Sequence, residues 1–119
     1  MAVNSKQKGA RGEREFSTFL KEHGISARRT QQFCGNGGDS ADVITDIGRV
    51  HFEVKRVETL RIYDAVMQAQ ADRKEGRIPV VAHKKNRGEW LAIMPMHDLL
   101  RVLKQAGLID SDNPLLNLY

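Results

Sequence analysis

The sequence predicts an α/β fold, a single domain in which a mixed β-sheet is flanked by helices. Three observations predict it. The chain has 119 residues, which suits one domain around one core. Segments with helical apolar spacing alternate with short β-branched runs, the pattern of a layered sheet-and-helix protein. A helical segment at 60–75 separates two strand candidates, and a right-handed crossover of that kind sets its two strands parallel.

The elements follow in order. Residues 1–11 carry Lys6, Lys8 and Arg11 among small and polar neighbours, which predicts a basic N-terminal arm. From about Gly12 to His23, Phe16, Phe19 and Leu20 keep helical spacing, and Gly24 stands where a helix would stop. "ISARR" (Ile25 to Arg29) reads as a short strand, and "CGNGGDS" (Cys34 to Ser40), with three glycines in seven residues, reads as a loop. "ADVIT" and "VHFEVK" flank the turn residues Asp46 to Gly48, so they form a hairpin. Thr59 is placed to cap a helix from about Leu60 to Glu75, with Ile62, Ala65, Val66 and Ala69 as its buried stripe and Gly76 at its end. "IPVVAH" and "WLAIM" are two more strands, joined by the basic turn Lys84 to Glu89, and Trp90 is expected in the core. A last helix, about Met96 to Gln105, buries Leu99, Leu100 and Leu103. The tail after Gly107 reads as an apolar extension packed on the body or on a second subunit. The order is α, β, β, β, α, β, β, α, with no internal repeat.

Composition narrows the function classes. Hydrophobic content of 40% and charged content of 29% are those of a soluble globular protein. Nineteen Lys and Arg against 15 Asp and Glu leave a net charge of +4, which leans toward a polyanionic partner. The single cysteine, Cys34, makes no internal disulfide, and no Cys/His cluster has zinc spacing, so a cytoplasmic location is expected. Neither a signal-peptide core nor a membrane-spanning apolar run is present in the sequence.

The residues with chemistry are few. In the run His51 to Arg56, strand alternation sends Val50, Phe52 and Val54 to one face and His51, Glu53 and Lys55 to the other. Asp42 begins the neighbouring strand, and Glu13 lies on the first helix. Two carboxylates on adjacent strands and a third from a helix form a hard oxygen cluster, of the kind Mg2+ occupies with several of its waters retained. Such a metal lowers the pKa of a bound water and neutralises charge on a leaving oxygen. The Lys55 ammonium adds a fixed positive charge beside it.

With "KGARGEREF" (Lys8 to Phe16), "ADVI" (Ala41 to Ile44) and "FEVK" (Phe52 to Lys55), the chain resembles the PD-(D/E)xK nuclease superfamily, and within it the archaeal Holliday-junction resolvases and related small phage nucleases. Ala41 stands where the proline that names the motif is found. The resemblance implies a restriction-endonuclease-like core. It further implies a metal held by Asp42, Glu53 and the backbone carbonyl of Val54, with Glu13 assisting and Lys55 catalytic. A glutamine of the following helix joins such sites; Gln68 is the first choice and Gln70 the second. Asp39, in the glycine loop, is the rival to Asp42. Mg2+ is the expected cofactor, with Mn2+ as a substitute.

Basic side chains flank these acids in two sets, Lys6, Lys8, Arg11, Arg28 and Arg29 near the first helix and strand, and Lys84, Lys85 and Arg87 in one turn. They are expected to contact DNA phosphates, and in the absence of a base-reading motif recognition would be of shape. His51 reads as an ordinary strand histidine, and Glu15 and Glu22 as exposed helix residues. The expected activity is metal-dependent cleavage of branched DNA such as four-way junctions, by a homodimer. The alternative is a structure-specific DNA-binding module of the same fold that does not cut.

Overall fold

The structure, a computed structural model, describes residues 5–29 and 43–110. The elements are α1 (Ser5–Glu22), β1 (Ala27–Arg29), β2 (Val43–Thr45), β3 (Val50–Lys55), α2 (Ile62–Asp72), β4 (Ile78–His83), β5 (Leu91–Ile93) and α3 (Met96–Gln105). The five strands form one mixed sheet in the order β1-β2-β3-β4-β5. Strands β1, β2 and β3 are antiparallel neighbours, β3 and β4 run parallel, and β5 returns antiparallel to β4. The one parallel pair is the pair that α2 connects, as a crossover requires.

The two faces of the sheet carry two helices. On one, Phe16 and Leu20 of α1 pack with Ala27, Val43 and Ala82, and Phe19, Ile25, Phe52, Val54 and Trp90 close around them. The Phe16 ring meets Phe52 edge-on at 5.2 Å and Trp90 at 4.9 Å; each such ring pair contributes about 0.5–1.5 kcal/mol beyond its buried area. On the other face, Ala65 and Ala69 of α2 lie against Val81, with Leu60, Val66 and Ile93 around them. Two alanines, rather than long aliphatics, let α2 approach the sheet closely.

Strands β1 and β5 are shorter than expected, and three helix boundaries differ from the sequence expectation. Helix α1 begins at Ser5 instead of about Gly12, so Lys6, Lys8 and Arg11 belong to its first turns and not to a separate arm. Apolar spacing detects only the part of a helix that has something to bury, whereas Lys, Gln, Ala and Arg sustain a helix without it. Helix α2 is shorter than expected, and its N-cap is Arg61, with no side-chain cap from Thr59. Leu60, just outside the helix, packs into the cluster that contains Ala65, a hydrophobic staple that sets the start of the helix in place of a hydroxyl cap. Ile62 is therefore half exposed at 50% and not part of the buried stripe. At the other end the chain leaves the helix at Arg73, and Gly76, with φ 84°, serves the turn into β4. Helix α3 has the expected bounds, but Leu99, Leu100 and Leu103 are only partly covered, and its buried residue is Asp98. The tail expectation falls on residues 111–119, outside the described residues. Among the described residues no helix is long and apolar enough to cross a membrane.

Where α1 crosses the end of β3, the two backbones come close. A Cβ built on Gly12 would lie 2.6 Å from the Cβ of Arg56. In an open helix Gly→Ala gains about 1 kcal/mol in propensity. Here the clash involves the root of a side chain, which cannot swing aside, and overpacking of this kind costs typically about 1–3 kcal/mol. Gly12→Ala is therefore expected to lower the urea midpoint, corresponding to a net loss of about 1–2 kcal/mol; a raised midpoint would show that the approach is looser than this.

Candidate functional site

The polar face of β3 is turned toward α2. In the parallel ladder Glu53 pairs with Val81 and Val54 with Ala82; Val81 belongs to the α2-side cluster and Ala82 to the α1-side cluster. Glu53 and His51 are consequently buried, at 3% and 0% exposure. A carboxylate in that position needs a hydrogen-bond partner, and it finds one two residues away on the same face: His51 Nε2 is 3.2 Å from Glu53 Oε2.

Lys55 continues this face to the C-terminal end of β3, where the sheet opens to solvent. Its ammonium donates to Gln68 Oε1 at 2.9 Å. Gln68 is on the exposed part of α2, one residue before the buried Ala69. The crossover that seats Ala65 and Ala69 on the sheet is thus what brings Gln68 over the end of β3. Gln70 is likewise exposed, and Gln68 is the one that meets Lys55.

Glu13 has a partner of its own. It lies on α1, which covers the opposite face, and its Oε1 accepts from Arg29 Nε at 3.0 Å, tying α1 to β1. Asp42 and its rival Asp39 fall outside the described residues, as does Cys34. Among the described residues no group of three His, Cys, Asp or Glu side chains comes together to hold a metal ion. The structure therefore joins Glu53, Lys55 and Gln68 into one region and leaves Glu13 paired with Arg29. Val54 sits between Glu53 and Lys55 in the β3–β4 ladder.

The basic residues divide by their partners. Arg11, Arg28, Lys85 and Arg87 are exposed. Arg29 faces Glu13. Lys84 faces Glu15, Nζ to Oε1 at 3.0 Å, and Arg56 donates to the other oxygen of the same carboxylate at 3.0 Å. Arg56 also reaches the Lys84 carbonyl and Asn86 Oδ1, while the backbone N–H of Asn86 donates to Glu58 Oε2 at 2.6 Å. Lys6 and Lys8 lie in the first turns of α1.

Two features escaped sequence reasoning. Glu15 is not a solvated helix residue but the centre of an ion-pair cluster binding α1 to Arg56, just beyond β3, and to the turn after β4. His51 is not an ordinary strand histidine, because it is fully buried against Glu53. For His51 the pattern H-x-E on one strand face carried a usable signal; for Glu15 the partners are 41 residues away at Arg56 and farther still at Lys84, and no local pattern marks them. In comparison with known proteins, no family model and no curated protein matches the chain.

Burial acts to raise the Glu15 carboxyl, but the hydrogen bonds from Lys84 and Arg56, and their positive charges, outweigh it and hold the carboxyl below its ordinary value of 4.5. A lowered folded pKa contributes stability that is present above the unfolded pKa and lost as pH falls through the folded one. Glu15→Gln is accordingly expected to destabilise at pH 7, by no more than about 1 kcal/mol for so accessible a cluster. The gap from wild type should narrow as pH falls below 4.5. Chemical denaturation at pH 7 and through the acid range checks this, and a gap that stays constant in acid would mean that Glu15 acts through packing.

Proposed function

We propose that the chain is a Mg2+-dependent endodeoxyribonuclease acting on branched DNA such as four-way junctions, and that it works as a homodimer in the cytoplasm. The observation that carries the reading is the meeting of Lys55 with Gln68 at 2.9 Å, on the strand face that also holds Glu53. An acid and an amine two residues apart on one strand, met by a glutamine from the next helix, are what the resemblance to the PD-(D/E)xK nucleases implies. The register of the hairpin supports it further. Val43, the first described residue of β2, pairs antiparallel with Phe52, the residue before Glu53.

The donor chemistry fits a hard cation. Glu53 is a buried carboxylate whose hydrogen-bond partner among the described residues is His51 rather than a Lys or Arg. Asp42, Glu53 and the Val54 carbonyl would hold Mg2+, which when bound supplies a Lewis acid and an activated water. Lys55, steadied by Gln68, would place its positive charge beside the attacked phosphate. The exposed Arg11, Arg28, Lys85 and Arg87 would contact phosphates along the DNA, together with Lys6 and Lys8. Lys84 and Arg29 would act through the carboxylates they already meet. Symmetric cutting of a junction needs two sites, which is the reason for a two-fold dimer. One observation favours the non-cleaving DNA-binding module instead: Glu53 and Lys55 each already have a partner within the protein.

The assay compares linear, nicked and four-way DNA with Mg2+ or with EDTA. Wild type is expected to cut branched DNA with Mg2+ alone, Glu53→Gln to lose activity, and Lys55→Ala to keep DNA affinity while cleaving about 10²–10³-fold more slowly. Equal product with Mg2+ and EDTA would rule out the enzyme; salt-sensitive binding without any product would favour the non-cleaving module. A second measurement concerns the DNA path. Lys85→Ala with Arg87→Ala is expected to raise Kd and to flatten the slope of log K against log salt by about 1–2, the release from one or two phosphate contacts. An unchanged slope would move the DNA off this turn.

A further inference from the structure

His51 has no part in the function proposed above, yet it is the largest fully buried side chain among the described residues. A strand residue at such a place is ordinarily aliphatic, because a buried polar atom without a partner is costly. His51 accepts that cost: its Nδ1 meets no hydrogen-bond partner among the described residues. Its other nitrogen is the one that is used, with Nε2 3.2 Å from Glu53 Oε2. A carboxylate that holds a cation is ionised and only accepts, so on that reading of Glu53 the hydrogen of this bond sits on Nε2.

We infer that His51 is a positioning residue for Glu53: its Nε2–H occupies Oε2 and fixes the carboxylate's rotamer, leaving Oε1 to a divalent cation. The inference rests on the proposed reading of Glu53 as a metal-holding group. Carboxylates that ligate metals are themselves held by outer hydrogen bonds, and loss of such a bond typically lowers metal affinity by about 10–100-fold. The imidazole does this without contact with substrate or metal. Covalent closeness alone does not explain the pairing, since side chains two apart on a strand share a face but do not have to touch.

The test is Mn2+ binding to the DNA-free protein, followed by electron paramagnetic resonance, in wild type and in three variants. Gln carries an amide nitrogen at about the reach of Nε2, Asn carries one at about the reach of Nδ1, and Phe fills the volume with no donor. His51→Asn and His51→Phe are expected to bind Mn2+ about 10–100-fold more weakly, and His51→Gln to remain near wild type. Circular dichroism identifies variants that fail to fold; if Phe is among them, the Gln and Asn pair decides. A long-range 1H–15N correlation spectrum of the wild-type imidazole needs no variant, and it is expected to show the Nε2–H tautomer. Asn or Phe binding as tightly as wild type, Gln as weak as Phe, or an Nδ1–H ring would overturn the inference while leaving Glu53 as a ligand. Wild type that binds no Mn2+ would overturn both this inference and the metal-dependent function.

Discussion

Strand β3 is covered by a helix on each side, and only one of its faces is apolar. Phe52 and Val54 meet the aromatic cluster of α1, which is the ordinary way to bury a central strand. The other face puts a histidine and a glutamate against the small-residue surface of α2. A buried carboxylate is tolerated only with a partner, and a buried ion or hydrogen-bonded pair contributes little net stability against an apolar alternative. The fold therefore has to draw its stability from the α1 side and from the sheet ladders, while the α2 side carries the groups with chemistry.

The crossover connects these two requirements. Because β3 and β4 are parallel neighbours, α2 must lie over their ladder, and its close seat on Ala65 and Ala69 leaves the exposed Gln68 above the end of β3. On the α1 side, Gly12 permits a similar closeness near Arg56, and the Glu15, Arg56 and Lys84 cluster joins α1 to the loops that leave β3 and β4. The Lys84 amide also donates to the Lys55 carbonyl at 3.2 Å. Lys55 is thereby held from two directions, by its backbone in the loop junction and by its side chain through Gln68.

These contacts change the meaning of the basic residues. A sequence-level grouping of Lys84, Lys85 and Arg87 treats one turn as one surface. In the structure Lys84 turns inward to Glu15, whereas Lys85 and Arg87 remain exposed. Arg28 and Arg29 separate in the same manner, since alternate residues of β1 point to opposite faces and only Arg29 reaches Glu13. Electrostatic attraction to a polyanion depends on the members that stay accessible, because the inward ones have much of their charge compensated.

The sequence by itself determined the order of elements, the parallel crossover at α2, the alternation of β3 and the shared face of Glu53 and Lys55, because all of these follow from periodicities of 2 and 3.6 and from which residues can turn or cap. Through the resemblance it also singled out Gln68, the residue that meets Lys55. It could not determine which end of a pattern lacking apolar residues still winds as helix, hence the extra turns of α1 before Gly12. Nor could it show that Glu15 meets Arg56 and Lys84, that Glu13 pairs with Arg29, or that His51 is sealed against Glu53. Those outcomes belong to the tertiary structure because each depends on distance between elements and on access to water, and a side chain's charge, burial and partner are set by what the rest of the chain brings to it.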